Sequence, residues 1–192
     1  FGEGGFYFDH HGLYDAVTRI ALMLRLPDQK AKRIEALVST EDILPTLSDL
    51  VELPDTPYPL SGSSLLPLLS GSTKEIRPYV ISSESTRQAS LSVRTPRWRM
   101  ILPIVEDIHG QPLPDFYGRP RHAEPLLFDH TMDPGEQRDL GHELPDTLAA
   151  LLDTLNQWRA EMAAMTGEPD PIQCQGLTLP YTRFMERVLA RF

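Results

Sequence analysis

The spacing of apolar residues predicts a strand and then a helix in the first third of the chain. Ile20–Leu26 is almost entirely apolar and stops at Pro27, which is typical of a strand buried on both faces of a parallel sheet. A loop that enters a short helix near Leu13–Thr18 is expected before it. Thr40 is the predicted N-cap of a helix that ends before Pro54. Its apolar stripe is Leu44, Leu47, Leu50 and Val51, and Leu65–Leu69 indicates a buried loop or one helical turn.

From residue 79 the pattern changes and predicts an antiparallel meander. Four short, partly alternating runs are separated by polar turns, with no helical pattern between the first three. Glu106–Glu124 is rich in charge, proline and glycine, and we predict that it is an exposed insertion. The four predicted strands are Tyr79–Ser83, Ser90–Arg94, Trp98–Ile104 and Leu126–Asp129.

The C-terminal third contains the clearest helical pattern of the sequence. Leu144–Met165 repeats apolar residues at helical spacing, and Asp146 lies near its start, where the helix dipole favours an acid. Gly167–Gly176 is predicted to be a linker and Tyr181–Phe192 a last short helix. The predicted buried stripe of the long helix is Leu148, Leu151, Leu152, Leu155 and Trp158.

Composition and charge exclude several classes of protein. The sequence has 27 acidic and 18 basic residues, and the net charge of −9 disfavours binding to nucleic acid or to anionic membranes. No run approaches the roughly 18 consecutive apolar residues of a membrane span. The single cysteine, Cys174, excludes an internal disulfide and a cysteine-based zinc site, and its surroundings are those of an inert thiol.

Two adjacent histidines are the first candidates for chemistry. His10 and His11 lie in a glycine-flanked loop before the predicted strand, where open α/β folds place ligand sites. A histidine there can protonate a leaving group or donate a hydrogen bond to an anion at neutral pH. A pair of solvated loop histidines is the alternative. Glu3, Asp9 and Asp15 supply only some of the six or more oxygens that calcium requires, so no complete metal site is expected within this sequence.

Two groups of basic residues are candidates for binding an anionic substrate. Arg94, Arg97 and Arg99 surround Thr95-Pro96, and Arg119, Arg121 and His122 form the second group. Guanidinium groups bind sulfate or phosphate esters through charge-assisted, bidentate hydrogen bonds. Solvated arginines that flank a hairpin turn are the alternative. The segment Met132-Asp-Pro-Gly-Glu136 is a turn by composition and by itself implies nothing catalytic.

Four segments occur in an order that is typical of one enzyme family. Gly2–Asp15 is similar to "GEHG…(K/H)HGLYD", and Arg19–Pro27 is similar to "RVPLIIRWPG". Val38–Leu69 is similar to "VSLVDLAPTLLDLAG…GRSLLPLL", and Leu127–Leu140 to "LYDLxxDPGExxNL". Together they resemble the C-terminal portion of a sulfatase, in the alkaline-phosphatase-like superfamily.

The resemblance implies a particular chemistry. In the family a Cys or Ser in a C/S-x-P-x-R motif becomes formylglycine, whose hydrate attacks the sulfur of a sulfate ester beside a bound calcium ion. Many members have a sulfate-contacting lysine just before "HGLYD", roughly where His10 stands here. His10 or His11 is therefore the expected sulfate contact or leaving-group acid. Their clustering, rather than the resemblance, makes Arg94, Arg97 and Arg99 the expected substrate-binding residues.

The sequence also departs from the family pattern. It contains no C/S-x-P-x-R motif, and the metal-binding "D(H/N)G" motif is expected upstream of Phe1. Gly4 stands where the family usually has histidine, and Ala21 where it usually has proline. The nucleophile and most calcium ligands are therefore expected in an N-terminal remainder of the sulfatase.

The expected fold is α/β: the C-terminal part of an alkaline-phosphatase-like α/β sandwich, followed by a small antiparallel sheet packed with a long helix. We expect residues 1–75 to end the large α/β domain, residues 76–166 to form the sheet and helix, and residues 167–192 to form a tail. The expected partner is a sulfated small molecule or glycan. A phosphonate monoester hydrolase or phosphodiesterase of the same superfamily, and a non-catalytic sulfated-glycan-binding module, remain alternatives. The sequence leaves the localisation and the oligomeric state open.

Overall fold

The computed structural model describes residues 11–27, 30–54, 57–86, 88–115 and 123–175. The chain divides into two compact units, one of Phe1–Ile20 with Ile81–Phe192 and one of Ala21–Val80. No helix among the described residues is long and apolar enough to cross a bilayer. The helices are α1 (Asp15–Thr18), α2 (Ile43–Leu50), α3 (Leu66–Ser70), α4 (Pro145–Thr166) and α5 (Pro171–Gln175), and the strands are β1 (Val80–Glu84), β2 (Ser90–Arg94), β3 (Trp98–Pro103) and β4 (Leu126–Asp129).

The four strands confirm the predicted meander. They form one sheet in the order β1-β2-β3-β4, and β2–β3 and β3–β4 pair antiparallel. The observed bounds differ from the predicted ones by one residue at most, because the polar turns between the runs end each alternation. The fold class is therefore mixed α/β, with a small antiparallel sheet and a long helix.

The register of the sheet divides its residues between two faces. Directly paired residues share a face, so Arg99, Ile101 and their partners Phe128 and Leu126 lie on one face of β3 and β4. Leu13 packs with Ile101 and Phe128 in a buried cluster, against which Tyr14 and Leu126 are also packed. The segment that leads into α1 is thus fixed on this face of the sheet. Val93, Met100 and Leu127, which are fully buried, lie on the opposite face.

The long helix α4 confirms the predicted C-terminal helix and packs against β2. Leu151 and Leu155 of its predicted stripe are buried, while Leu148, Leu152 and Trp158 are half-buried. Gly167, at φ 73°, ends the helix in the left-handed conformation that glycine adopts without strain. The predicted linker is wrong in one respect, since it contains α5. The predicted helix Tyr181–Phe192 lies outside the described residues.

In the Ala21–Val80 unit the predicted helix is confirmed as α2, but its predicted cap is wrong. A 3-10 turn, Thr40–Asp42, precedes α2, and Ser39 is the N-cap. Ser39 and Asp42 form a capping box, in which the Asp42 carboxylate accepts a hydrogen bond from the Ser39 N–H. Asp42 is fully buried and also accepts from Ser63 N–H and the Arg77 guanidinium. Ser39 caps rather than Thr40 because the acid that returns its hydrogen bond lies three residues after Ser39.

Gly62 is required by a close approach in the same unit. A Cβ atom at this position would clash with the carbonyl group of Glu41, so only glycine lets the two backbones pass. Leu65–Leu69, the predicted loop or helical turn, forms most of α3, which ends at Gly71 with φ 81°.

The predicted buried strand Ile20–Leu26 is wrong. Its residues form no strand, and Ile20, Met23 and Leu24 are 58%, 90% and 42% exposed. An apolar run becomes a buried strand only when neighbouring strands accept its backbone hydrogen bonds, and none of the described residues pair with it. The apolar pattern alone therefore did not determine the local structure.

Candidate functional site

His11, one of the two histidines predicted to be functional, borders a pocket of about 320 Å³. His11 lines this pocket together with Gly12, Leu13, Ser83, Glu84 and Thr86. The His11 side chain is 16% exposed, so the ring is mostly enclosed but reachable from the pocket. His10, the other predicted histidine, lies outside the described residues. The structure thus places the "HGLYD" segment at the edge of a cavity.

Glu84, the last residue of β1, orients the histidine segment. Its Oε2 atom accepts a hydrogen bond from Gly12 N–H at 2.8 Å and from Gln88 Nε2 at 3.1 Å. Its Oε1 atom lies 3.4 Å from His11 Nδ1, and His11 Nδ1 is 3.0 Å from Thr86 Oγ1. Gly12 has φ 105°, a conformation that other residues adopt only with strain. Glycine at this position therefore allows the backbone N–H to reach the carboxylate.

Arg99 holds the other end of the same segment from the centre of the sheet. This side chain is only 2% exposed, and each of its three nitrogen atoms has a different acceptor. Nη1 donates to the Leu13 carbonyl at 2.7 Å, Nη2 to Asp15 Oδ1 at 2.9 Å, and Nε to Glu136 Oε1 at 2.5 Å. The N–H groups of a guanidinium lie in one rigid plane, so the directions of these three hydrogen bonds are fixed relative to one another. Arg99 therefore holds Leu13 and Asp15 in one geometry.

Glu136 completes this buried network from the Asp133-Pro-Gly-Glu136 turn. Its Oε2 atom accepts a hydrogen bond from Asp15 N–H at 2.6 Å, while its Oε1 atom pairs with Arg99. Glu136 is 4% exposed and has φ 52°, a left-handed backbone conformation that is unusual for a non-glycine residue. Such strain persists only where the surroundings fix it, and here the ion pair does so. The turn therefore has a structural task, which is to fasten the start of α1.

The charges around Asp15 perturb two further groups. Burial, followed by repulsion from Arg99, lowers the pKa of Arg94, whose Nε atom lies 3.6 Å from Asp15 Oδ1. Burial, followed by repulsion from Arg94, lowers the pKa of His130, whose Nε2 atom lies 3.9 Å from Asp15 Oδ2. His130 is therefore favoured in its neutral form, and the site is dominated by the two arginines and the two carboxylates.

Within the described part of the chain, one group of side chains around Asp15 could hold a metal ion. Asp15, His130 and Glu136 each offer a ligand atom, and these atoms lie within 4.8 Å of one another. They do not fit calcium, which takes six to eight oxygen ligands. The Arg99 guanidinium already neutralises both carboxylates, so the place of a cation is taken by a side chain. We derive no metal chemistry from this cluster.

The predicted substrate-binding arginines do not lie together as one exposed cluster. Arg99 is buried, and Arg94, half-buried, donates to the Thr95 carbonyl and pairs with Asp15. Arg97 is 58% exposed, pairs with Asp129 at 2.8 Å and stacks on the Trp98 ring at 4.4 Å. An anion that binds Arg97 must compete with Asp129. Substrate binding by Arg94, Arg97 and Arg99 stays a prediction.

The sequence reasoning missed Glu84, Thr86 and Glu136 as parts of this site. Glu84 contacts Gly12 across 72 residues, and Glu136 contacts Asp15 across 121 residues. No local pattern links residues so far apart. The one available signal was the resemblance of the Asp133-Pro-Gly-Glu136 turn to a family motif, which marks Glu136 as more than a turn residue.

The chain is similar to known sulfatases over most of its length. Residues 2–161 match the family described as "N-sulphoglucosamine sulphohydrolase, C-terminal". Arylsulfatase K of Rattus norvegicus is 29% identical over 150 residues, which are 72% of this chain and 24% of that protein. Delta 4,5-hexuronate-2-O-sulfatase of Bacteroides thetaiotaomicron is 27% identical over 188 residues, which are 90% of this chain and 35% of that protein.

A solved structure of a 2-O GAG sulfatase is similar as well. It is 26% identical, with a TM-score of 0.46, and the match covers 68% of this chain and 27% of that one. The chain spans about a quarter to a third of the length of the curated relatives it matches.

Proposed function

The chain belongs to the family of C-terminal domains of N-sulphoglucosamine sulphohydrolase and other sulfatases, and from this premise we propose that it forms the C-terminal part of an enzyme that hydrolyses sulfate esters. The observation that carries the proposal is the position of His11, which borders the pocket and is held by Glu84 and Thr86. Imidazole is the side chain best suited to donate a proton or a hydrogen bond near pH 7.

In this proposal His10 or His11 contacts the substrate sulfate or protonates the leaving-group oxygen. The geometry favours His11 for this task, because its ring is partly enclosed by the pocket and its Nδ1 atom already faces two oxygen atoms. Arg99 and Glu136 support it indirectly, since they hold the backbone that follows His11. General acids of this kind contribute about 10²- to 10⁴-fold to a rate.

The nucleophile and the metal ion are assigned to the rest of the complete enzyme. Formylglycine would attack sulfur, and calcium would polarise the sulfate; the described residues of this chain supply no calcium site. The substrate class that we propose is a sulfated sugar or glycan. Support comes from the names of two relatives, a Delta 4,5-hexuronate-2-O-sulfatase and an N-acetylgalactosamine-6-O-sulfatase of Bacteroides thetaiotaomicron.

The proposal is tested in the complete enzyme by replacing both His10 and His11 with alanine. Turnover of an aryl sulfate is expected to fall roughly tenfold or more, and about 10²- to 10⁴-fold where a histidine supplies the general acid. His142→Ala is the matched control, because that histidine is 83% exposed and lies away from the pocket lining. Unchanged kinetics in the double variant, or faster turnover of a phosphate diester than of the sulfate, would contradict the proposal.

A further inference from the structure

We propose that Glu84, acting with Thr86, is the positioning residue of the reaction: it fixes the tautomer and the orientation of His11. This inference rests on the proposed function, because it gives Glu84 a task only where His11 acts on the substrate. Glu84 itself is 8% exposed and acts through the imidazole rather than on the substrate. Neither the family match nor the names of the relatives assign a role to this residue.

The two oxygen atoms of the Glu84 carboxylate have separate tasks. Oε2 is occupied by Gly12 N–H at 2.8 Å and Gln88 Nε2 at 3.1 Å, two donors that fix the carboxylate plane. Oε1 therefore faces His11 and Thr86, at 3.4 Å from His11 Nδ1 and 3.4 Å from Thr86 Oγ1. Because one of the Oε2 donors is the residue next to His11, the same side chain fixes both the backbone and the ring.

The hydrogen-bond directions then determine which ring nitrogen carries the proton. The Thr86 hydroxyl donates to Glu84 Oε1, so its oxygen is left to accept from His11 Nδ1–H at 3.0 Å. A carboxylate near Nδ1 favours a proton on that atom. Nδ1 is thus the protonated nitrogen held by Thr86 and Glu84, and the transferred proton is assigned to Nε2. The imidazolium donates its Nε2 proton to the leaving-group oxygen, and the neutral ring then regains a proton at Nε2 from water.

A purely structural role for Glu84 makes a different prediction. In that case the carboxylate only ties β1 to the backbone at Gly12, and its loss lowers stability without changing the protonation pattern of His11. Glu84→Gln keeps the size of the side chain and a carbonyl oxygen, but it removes the negative charge. Thr86→Val removes the hydroxyl while leaving the bond between Glu84 and Gly12 N–H in place.

The first measurement is the imidazole ¹⁵N spectrum of His11 in the 192-residue chain, assigned with His11→Ala. We expect the neutral ring to carry its proton on Nδ1 in the original chain and to shift toward Nε2 in Glu84→Gln and Thr86→Val. Glu143→Gln is the control, since the same substitution there affects an exposed pair with Arg138. An unshifted tautomer in both folded variants would overturn the inference.

The second measurement is a double-mutant cycle in the complete enzyme. Glu84→Gln is expected to lower kcat about tenfold or more with little change in KM, and to cost no more than twofold in the His11→Ala background. Additive losses would overturn the inference. If Glu84→Gln keeps a normal kcat while His11→Ala is defective, only the inference is overturned. If turnover is unchanged in His11→Ala, the role of His11 in the proposed function is overturned, and the inference with it.

Discussion

Arg99 is a fully buried arginine whose three nitrogen atoms each donate to a different acceptor. Two of these acceptors, Asp15 and Glu136, are carboxylates that have been removed from most of the solvent. A charge that is buried in this way costs several kcal/mol of desolvation, which only its partners offset. A single side chain therefore holds Leu13 and Asp15, the two residues of the histidine segment that it contacts.

We predict that Arg99→Met destabilises the chain by about 3–5 kcal/mol, because it removes the buried guanidinium that hydrogen-bonds to both Asp15 and Glu136. Urea unfolding at pH 7 measures the loss. Arg138→Met is the matched control, since Arg138 forms an exposed pair with Glu143, and such pairs contribute about 0–1 kcal/mol. Equal losses in the two variants would show that Arg99 is not a buried clamp.

The sequence contained a signal for the burial of Arg99. In the predicted strand Trp98–Ile104, residues two apart share a face, so Arg99 lies on the face of Ile101. An arginine on an apolar face requires buried acceptors. The three arginines were grouped by their proximity in sequence, but Arg99 lies within β3, whereas exposed Arg97 lies in the turn between β2 and β3. The identity of the acceptors was not accessible, because Asp15 is 84 residues away.

At the scale of elements, β4 ends at Asp129, whose side chain stabilises the tight turn that follows. Asp129 Oδ2 accepts from Arg97 Nε at 3.0 Å and Nη2 at 2.8 Å. Its Oδ1 atom accepts from the N–H and the hydroxyl of Thr131, at 3.0 Å and 2.6 Å. These hydrogen bonds, first that from Arg97 and then that from the Thr131 hydroxyl, hold the pKa of Asp129 well below its usual range.

This lowered pKa of Asp129 predicts an acid-dependent contribution to stability. A carboxyl group with a depressed pKa in the folded state stabilises that state above its unfolded pKa of about 3.9, and the contribution is lost as the pH falls through the folded value. The difference in unfolding free energy between the original chain and Asp129→Asn should be constant from about pH 7 to pH 5 and should narrow below about pH 4.

Urea unfolding at a series of pH values tests this expectation. Asp153→Asn, which removes an exposed carboxylate on α4, controls for the loss of one negative charge. The prediction fails where the two variants show the same dependence on pH. In that case the hydrogen bonds to Asp129 would not favour its charged form in solution.

Elements that are defined by neighbouring residues in the sequence were predicted well. The predicted strand Ile20–Leu26, which depends on hydrogen bonds from distant segments, was not. β2 and β4 were predicted to the residue, since alternation and polar turns define a meander within a short stretch. The cap of the 3-10 turn that leads into α2 was misplaced by one residue, because the reciprocal acid, Asp42, decides which hydroxyl caps. Ile20–Leu26 has a strand pattern but no strand, because sheet hydrogen bonds must come from other segments.

At the scale of the whole molecule, the chain spans about a quarter to a third of the length of its curated relatives. Its sequence contains the candidate histidines but no C/S-x-P-x-R nucleophile motif. We predict that the purified 192-residue chain does not hydrolyse an aryl sulfate above background with calcium present. The physical reason is that a positioned acid accelerates a reaction only where a nucleophile attacks. A colorimetric sulfatase assay measures it, and turnover above that of heat-denatured chain would contradict the prediction.

The sequence by itself determined the family, the meander and the long helix, because these follow from motifs and short-range periodicity, and it marked His10 and His11 as candidates. Only the tertiary structure decided what surrounds His11 and which arginine is buried. Glu84, Arg99 and Glu136 reach the "HGLYD" segment across 72 to 121 residues, and contacts at that separation are set by how the chain folds back on itself. Local pattern thus fixes the elements, whereas burial and long-range hydrogen bonds fix the site.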